Sequence, residues 1–148
     1  MNEMSQRPAP RTGHGRLVLE LRAGDRMLVN GAALQFQTRA SVVLSNKARF
    51  LFGKQILAPE DARTPARRVY FAMQSAYVCE PAEQAHFLEM ARSYADEYAA
   101  ATTSNLARGI LAAAVADLEA GRCWDAMRRV RDLFAHDDAV LAPAAHDI

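Results

Sequence analysis

The sequence predicts an α+β fold: an N-terminal small antiparallel β-sheet or partial barrel, followed by a C-terminal antiparallel helical bundle of about four helices. Three observations carry this. Apolar residues alternate through the first third of the chain, the period of a half-buried strand. Beyond Pro59 they recur at helical spacing. Asn30-Gly31 and Gly121 stand where a hairpin turn and a helix end require positive φ. Strands first and helices afterwards is the α+β order.

Residues 1–15 hold two prolines, two glycines and almost no apolar side chains. They cannot bury enough surface to offset ordering entropy, so a flexible tail is expected, with Arg7 and Arg11 solvated or touching RNA. The β-rich part spans 16–58. Leu17, Leu19 and Leu21 share one strand face, with Val18, Glu20 and Arg22 on the other. Ala23-Gly24-Asp25 is a turn, and Arg26 to Val29 a second strand. Asn30-Gly31 makes a type I′ turn into Ala33–Thr38, followed by Ser41–Leu44 and a fifth strand over Lys47–Phe52.

The helical part spans 59–136. After a turn at Pro59-Glu60-Asp61, Thr64 caps a helix with Pro65 in its first turn, and Val69, Tyr70, Met73, Ala76 and Tyr77 form its apolar stripe. A second helix runs from Pro81 to about Ala101, and Ser104 caps a third that ends at Gly121. The fourth covers Arg122 to about Ala135, and residues 137–148 read as a loose C-terminal tail. One compact unit is expected.

At 148 residues the chain is long enough to bury a core without disulfides or metal. No apolar run approaches the roughly 18 residues that cross a bilayer, and the first residues lack a secretory h-region, so a cytoplasmic location is expected. Cys79 and Cys123 lie far apart without CxxC spacing and read as two buried thiols, not as a metal or redox pair. The net charge is +1, but residues 1–80 hold twelve Lys and Arg against six Asp and Glu, and the remainder six against eleven. The first half is thereby suited to an anionic partner, or the two halves to a dipolar association of copies.

Catalytic motifs are absent: there is no GxSxG, P-loop, GxGxxG or HExxH. His14, His86, His136 and His146 are scattered, and Glu60-Asp61 fit a helix dipole better than an acid–base pair. No catalytic residue, metal or cofactor is assigned, and a non-enzymatic role is expected. The densest polar feature is the junction, where Lys47, Arg49, Lys54, Arg63, Arg67 and Arg68 interleave with Phe50, Phe52, Tyr70 and Phe71. Basic groups supply phosphate affinity and aromatics stack on unpaired bases. Arg49, Lys54, Arg63, Arg67 and Arg68 are therefore the candidate phosphate contacts, with Tyr70 and Phe71 as stacking surfaces. The blander reading is an aromatic core with a wet basic rim.

The segments LELRAGDRMLVNGAALQFQ and NKARFLFGKQILAPEDARTPARRVYFAMQSAYV resemble the FlbT proteins of alphaproteobacterial flagellar systems, closely over about residues 17–80. VNGA after a strand and turn, then IL-x-PE-x-A-x-TP-x-RR-x-YF-x-x-Q, carry the likeness. The chain departs from the pattern at Phe50-Leu51-Phe52-Gly53-Lys54-Gln55, where relatives carry more charge. The resemblance implies a post-transcriptional regulator that associates with the 5′ untranslated leader of flagellin mRNA and promotes its degradation, although some relatives activate. It also implies FlaF and flagellin as protein partners, the alternative being a regulator or chaperone that grips those proteins and acts on mRNA indirectly. Exposed edges on so short a sheet allow a homodimer.

Overall fold

The computed structural model describes residues 17–45 and 49–141. The expected tail at 1–15, the last residues of the expected C-terminal tail, and Lys47 with the start of the fifth strand lie outside the described residues. The chain forms two compact units: a strand unit reaching Ile56 and taking in Val78–Pro81, and a helical unit of Leu57–Tyr77 and Ala82 onward.

In the strand unit, β1 (Leu17–Leu21), β2 (Arg26–Val29), β3 (Ala32–Gln35), β4 (Ala40–Leu44) and β5 (Phe50–Phe52) are all antiparallel. They make two small antiparallel sheets, in keeping with the α+β order expected: β1 pairs with β4, and β2 lies between β3 and β5. The physical reason for the division is at Phe36. Its N–H donates to the Asp25 carbonyl at 2.9 Å and its carbonyl accepts from Gly24 at 2.7 Å, ending β3 there, and the chain then turns to lie along β1. Alternation places Leu19 and Leu21 inside with Met27, Phe50 and Phe52, and this shared core joins the two sheets. The β2–β3 turn has Asn30 at φ +46° and Gly31 at φ +87°, the type I′ geometry that matches strand twist.

The helical unit contains α1 (Pro65–Val78), α2 (Gln84–Ala101), α3 (Asn105–Glu119), α4 (Cys123–Arg131) and α5 (Phe134–Val140). Thr64 caps α1 through its Oγ1, which accepts from the Arg67 N–H at 3.2 Å, and Pro65 follows in the first turn as expected. Ser104 caps α3 by accepting from Ala107 at 3.0 Å. At the other end Gly121, at φ +84°, closes a Schellman motif: its N–H donates to Leu118 and the Arg122 N–H to Asp117. Where that motif often adds an apolar contact, Arg122 instead pairs with the Asp117 carboxylate at 2.8 Å.

Several expectations need correction. The fourth helix does not run to Ala135; it stops at Arg131, and a short fifth helix follows. The supposed loose tail from 137 begins inside that fifth helix, with Asp137 buried because its carboxylate has two donors in the interior. Leu106, at the start of α3, is 68% exposed. Both cysteines are free and half-buried, and Cys123 donates its S–H to the Met73 carbonyl. Among the described residues no helix is long and apolar enough to cross a membrane, and no cluster of His, Cys, Asp or Glu could hold a metal ion.

Candidate nucleic-acid interface

The residues expected to contact RNA divide between the units. Arg49 and Lys54 belong to the strand unit; Arg63, Arg67, Arg68, Tyr70 and Phe71 belong to the helical unit. Tyr70 is core: it has no exposure, packs edge-on to Phe134 at 5.3 Å and accepts a hydrogen bond from Arg131 at 3.0 Å. Burial pushes its phenol up to about 12. A ring so enclosed offers no face to a base, which corrects its assignment as a stacking surface.

Arg67 is committed within the fold. Its guanidinium donates two hydrogen bonds to Asp138, at 2.8 and 3.1 Å, and lies 4.6 Å from the centre of the Phe134 ring. The bidentate pair raises the Arg67 pKa further and holds the Asp138 carboxyl below its ordinary range. Arg63 is exposed and precedes the Thr64 cap, so it lies outside α1 and does not share a helical face with Arg67. Arg68 is exposed, enters no ion pair among the described residues, and shares a face of α1 with half-buried Phe71 three positions on. Arg49 and Lys54 are exposed, the first just before β5 and the second in a 3₁₀ turn after it.

A different basic group comes together at one end of the strand unit. The turn at 22–25 and the connection at 36–39 are stitched by the Gly24–Phe36 and Phe36–Asp25 backbone bonds. Arg22 and Arg39 are the next residues beyond the last pair of the β1–β4 ladder, Leu21 with Ala40, and Arg26 opens β2 opposite Gln35. All three arginines are exposed and enter no ion pair among the described residues. Asp25, the one acidic residue of these two connections, is half-buried and accepts the Arg22 backbone N–H at 2.8 Å. Like charges held at facing positions cost energy unless solvent or an anion lies between them. The setting reinforces this: the strand unit has nine Lys and Arg against four Asp and Glu, the helical unit nine against thirteen. The basic excess of the first half is visible in the sequence. Arg22, Arg26 and Arg39 do not stand out there, because none sits in a run of charge interleaved with aromatics, and only the strand register gathers them.

The cations of the helical unit are mostly engaged internally. Asp117, buried at the end of α3, takes Arg129 at 2.5 Å and Arg122 at 2.8 Å. Its carboxyl is held below the ordinary range by those hydrogen bonds, that from Arg129 first.

The sequence pattern of the family described as flagellar protein FlbT matches residues 17–141. The chain is 35% identical over 133 residues to the "probable flagellum biosynthesis repressor protein FlbT 2" of Bradyrhizobium diazoefficiens, covering 88% of this chain and 95% of that protein. It is 49% identical over 70 residues to the "probable flagellum biosynthesis repressor protein FlbT" of Brucella anthropi, covering 46% of this chain and 45% of that one. The like-named protein of Brucella ovis is 38% identical over 94 residues, 64% of this chain and 53% of its own length. No solved structure matches the chain.

Proposed function

The chain belongs to the FlbT family of flagellum biosynthesis repressors, non-enzymatic regulators, and we propose that it acts in the cytoplasm on the 5′ untranslated leader of flagellin mRNA, promoting the degradation of that message. The observation that carries a direct RNA contact is the grouping of Arg22, Arg26 and Arg39 at one end of a strand unit with a strong basic excess. Three exposed guanidiniums that enter no ion pair among the described residues, at the end of a strand ladder, suit the phosphates of a single strand, which neutralises the repulsion among them. Arg49 and Lys54 add positive charge to the same unit, and Arg68 with Phe71 forms a smaller basic and aromatic pair on α1. Regulators of this kind need positioning and affinity, and no acid–base pair is required of them.

The test is a titration of the full chain with the labelled flagellin leader, a scrambled RNA and purified flagellin, each at two salt concentrations. The reading expects tighter binding to the leader than to the scramble, weakened by salt. Arg22→Ala, Arg26→Ala and Arg39→Ala together should lower affinity and reduce the logarithmic salt slope by roughly one for each phosphate no longer neutralised. The Arg63, Arg67 and Arg68 triple should change the slope less, because Arg67 is held by Asp138. Absence of a leader preference, with clear binding to flagellin or FlaF, would move the function to protein–protein control.

A further inference from the structure

We propose that β3 is a dimerisation edge, pairing antiparallel with β3 of a second copy of this chain with Leu34 at the two-fold axis. β3 is the outer strand of its sheet, and every one of its four residues is exposed. The type I′ turn makes Val29 and Ala32 a hydrogen-bonded pair, so by alternation Leu34 also bonds β2, and Phe36 is observed to bond Asp25. The N–H and C=O groups of Ala33 and Gln35 therefore point away from β2. Neither has a backbone partner among the described residues. A row of outward amides is satisfied best by another strand.

Self-complementarity selects a second copy as that strand. With the axis at Leu34, Ala33 of each copy faces Gln35 of the other and both exchange their outward bonds. Leu34 then meets Leu34 as a non-hydrogen-bonded pair, the arrangement that brings side chains closest. Leu34 is 44% exposed and lies opposite buried Met27, so the contact extends the core of the strand unit across the axis. β3 has no charged residue and no proline, hence no like charges would meet and none of the usual side-chain protections of an edge is present. The neighbouring ladder differs, because β1 carries Glu20 on its exposed face. A pair of four-residue strands buries less than the roughly 1,200 Å² of a standard interface, so the dimer is weak and concentration-dependent.

Sedimentation velocity of the full chain, from about 1 μM to about 1 mM, should show a monomer–dimer equilibrium. Ala33→Pro removes an outward N–H at a position already extended, leaves the bonds to β2 intact, and should weaken dimerisation at least tenfold while circular dichroism stays unchanged. Leu34→Cys should cross-link to itself under mild oxidation, whereas Val18→Cys, still more accessible on β1, and the wild type should not. A monomer at every concentration would overturn the proposal. So would a dimer indifferent to Ala33→Pro, Val18→Cys cross-linking as readily as Leu34→Cys, or a monomeric chain whose β3 instead accepts a strand of flagellin.

Discussion

The carboxylate of Asp137 accepts the backbone N–H of Ala66 at 2.7 Å, linking two residues 71 positions apart. α1 begins Pro-Ala-Arg-Arg and has no acidic residue in its first turn, so the positive end of its dipole faces two like charges. The deficit is made good from α5. Asp137 takes one of the orphan N–H groups and the Tyr98 hydroxyl, while the neighbouring Asp138 takes the Arg67 guanidinium. A cap usually supplied within a few residues is here supplied by tertiary structure.

Replacing Asp137 by Ala should therefore behave as the loss of a core element. It leaves the Ala66 N–H and the Tyr98 hydroxyl buried without an acceptor, at a cost of about 2–3 kcal/mol. Urea unfolding followed by circular dichroism measures it. A change within the noise of a surface substitution would show that water replaces the carboxylate.

Gln74 offers a second test. Its Oε1 accepts from the Leu57 N–H at 2.8 Å and its Nε2 donates to the Leu57 carbonyl at 3.0 Å, a side chain standing in for a strand partner. Gln74→Met keeps much of the volume and removes both bonds, so it should cost about 2 kcal/mol in the same assay. Stability equal to wild type would mean that Leu57 finds solvent instead.

Acid should destabilise the helical unit by a route that can be assigned. Arginines depress the Asp117 and Asp138 carboxyls, so their contribution is complete above the ordinary carboxylate range and lost as pH falls through their lowered values. The urea midpoint should hold between about pH 7 and pH 5 and decline below about pH 4. Asp117→Asn should flatten that decline. An acid limb identical in the variant would place its origin elsewhere.

At high pH the sign reverses. Burial raises the Tyr70 phenol to about 12, and burial with the Asp137 hydrogen bond raises that of Tyr98, so the folded state keeps protons that the unfolded state releases. Stability should be full below about pH 10 and decline from there towards pH 12. Phenolate absorbance of the native protein should lag behind that of free tyrosine. Early, complete ionisation with the fold intact would contradict the burial of both rings.

Local signals were legible in the residues. Asn30-Gly31, Thr64-Pro65, Ser104 and Gly121 each act within one turn of backbone, and each sits in the structure where its chemistry requires. The alternation of Leu17, Leu19 and Leu21 and the stripe of α1 likewise named the buried faces correctly. Of the candidate interface, the basic excess of the first half could be counted, but not its grouping. The pairing of β4 with β1, which sets Arg39 across from Arg22, the enclosure of Tyr70 under Arg131 and Phe134, and the capture of Arg67 by Asp138 join positions far apart in the chain. Periodicity and capping record what a residue prefers over one turn or one strand. Which distant strand or carboxylate meets it depends on how the intervening loops close over a shared core, and that is decided only when the whole chain packs.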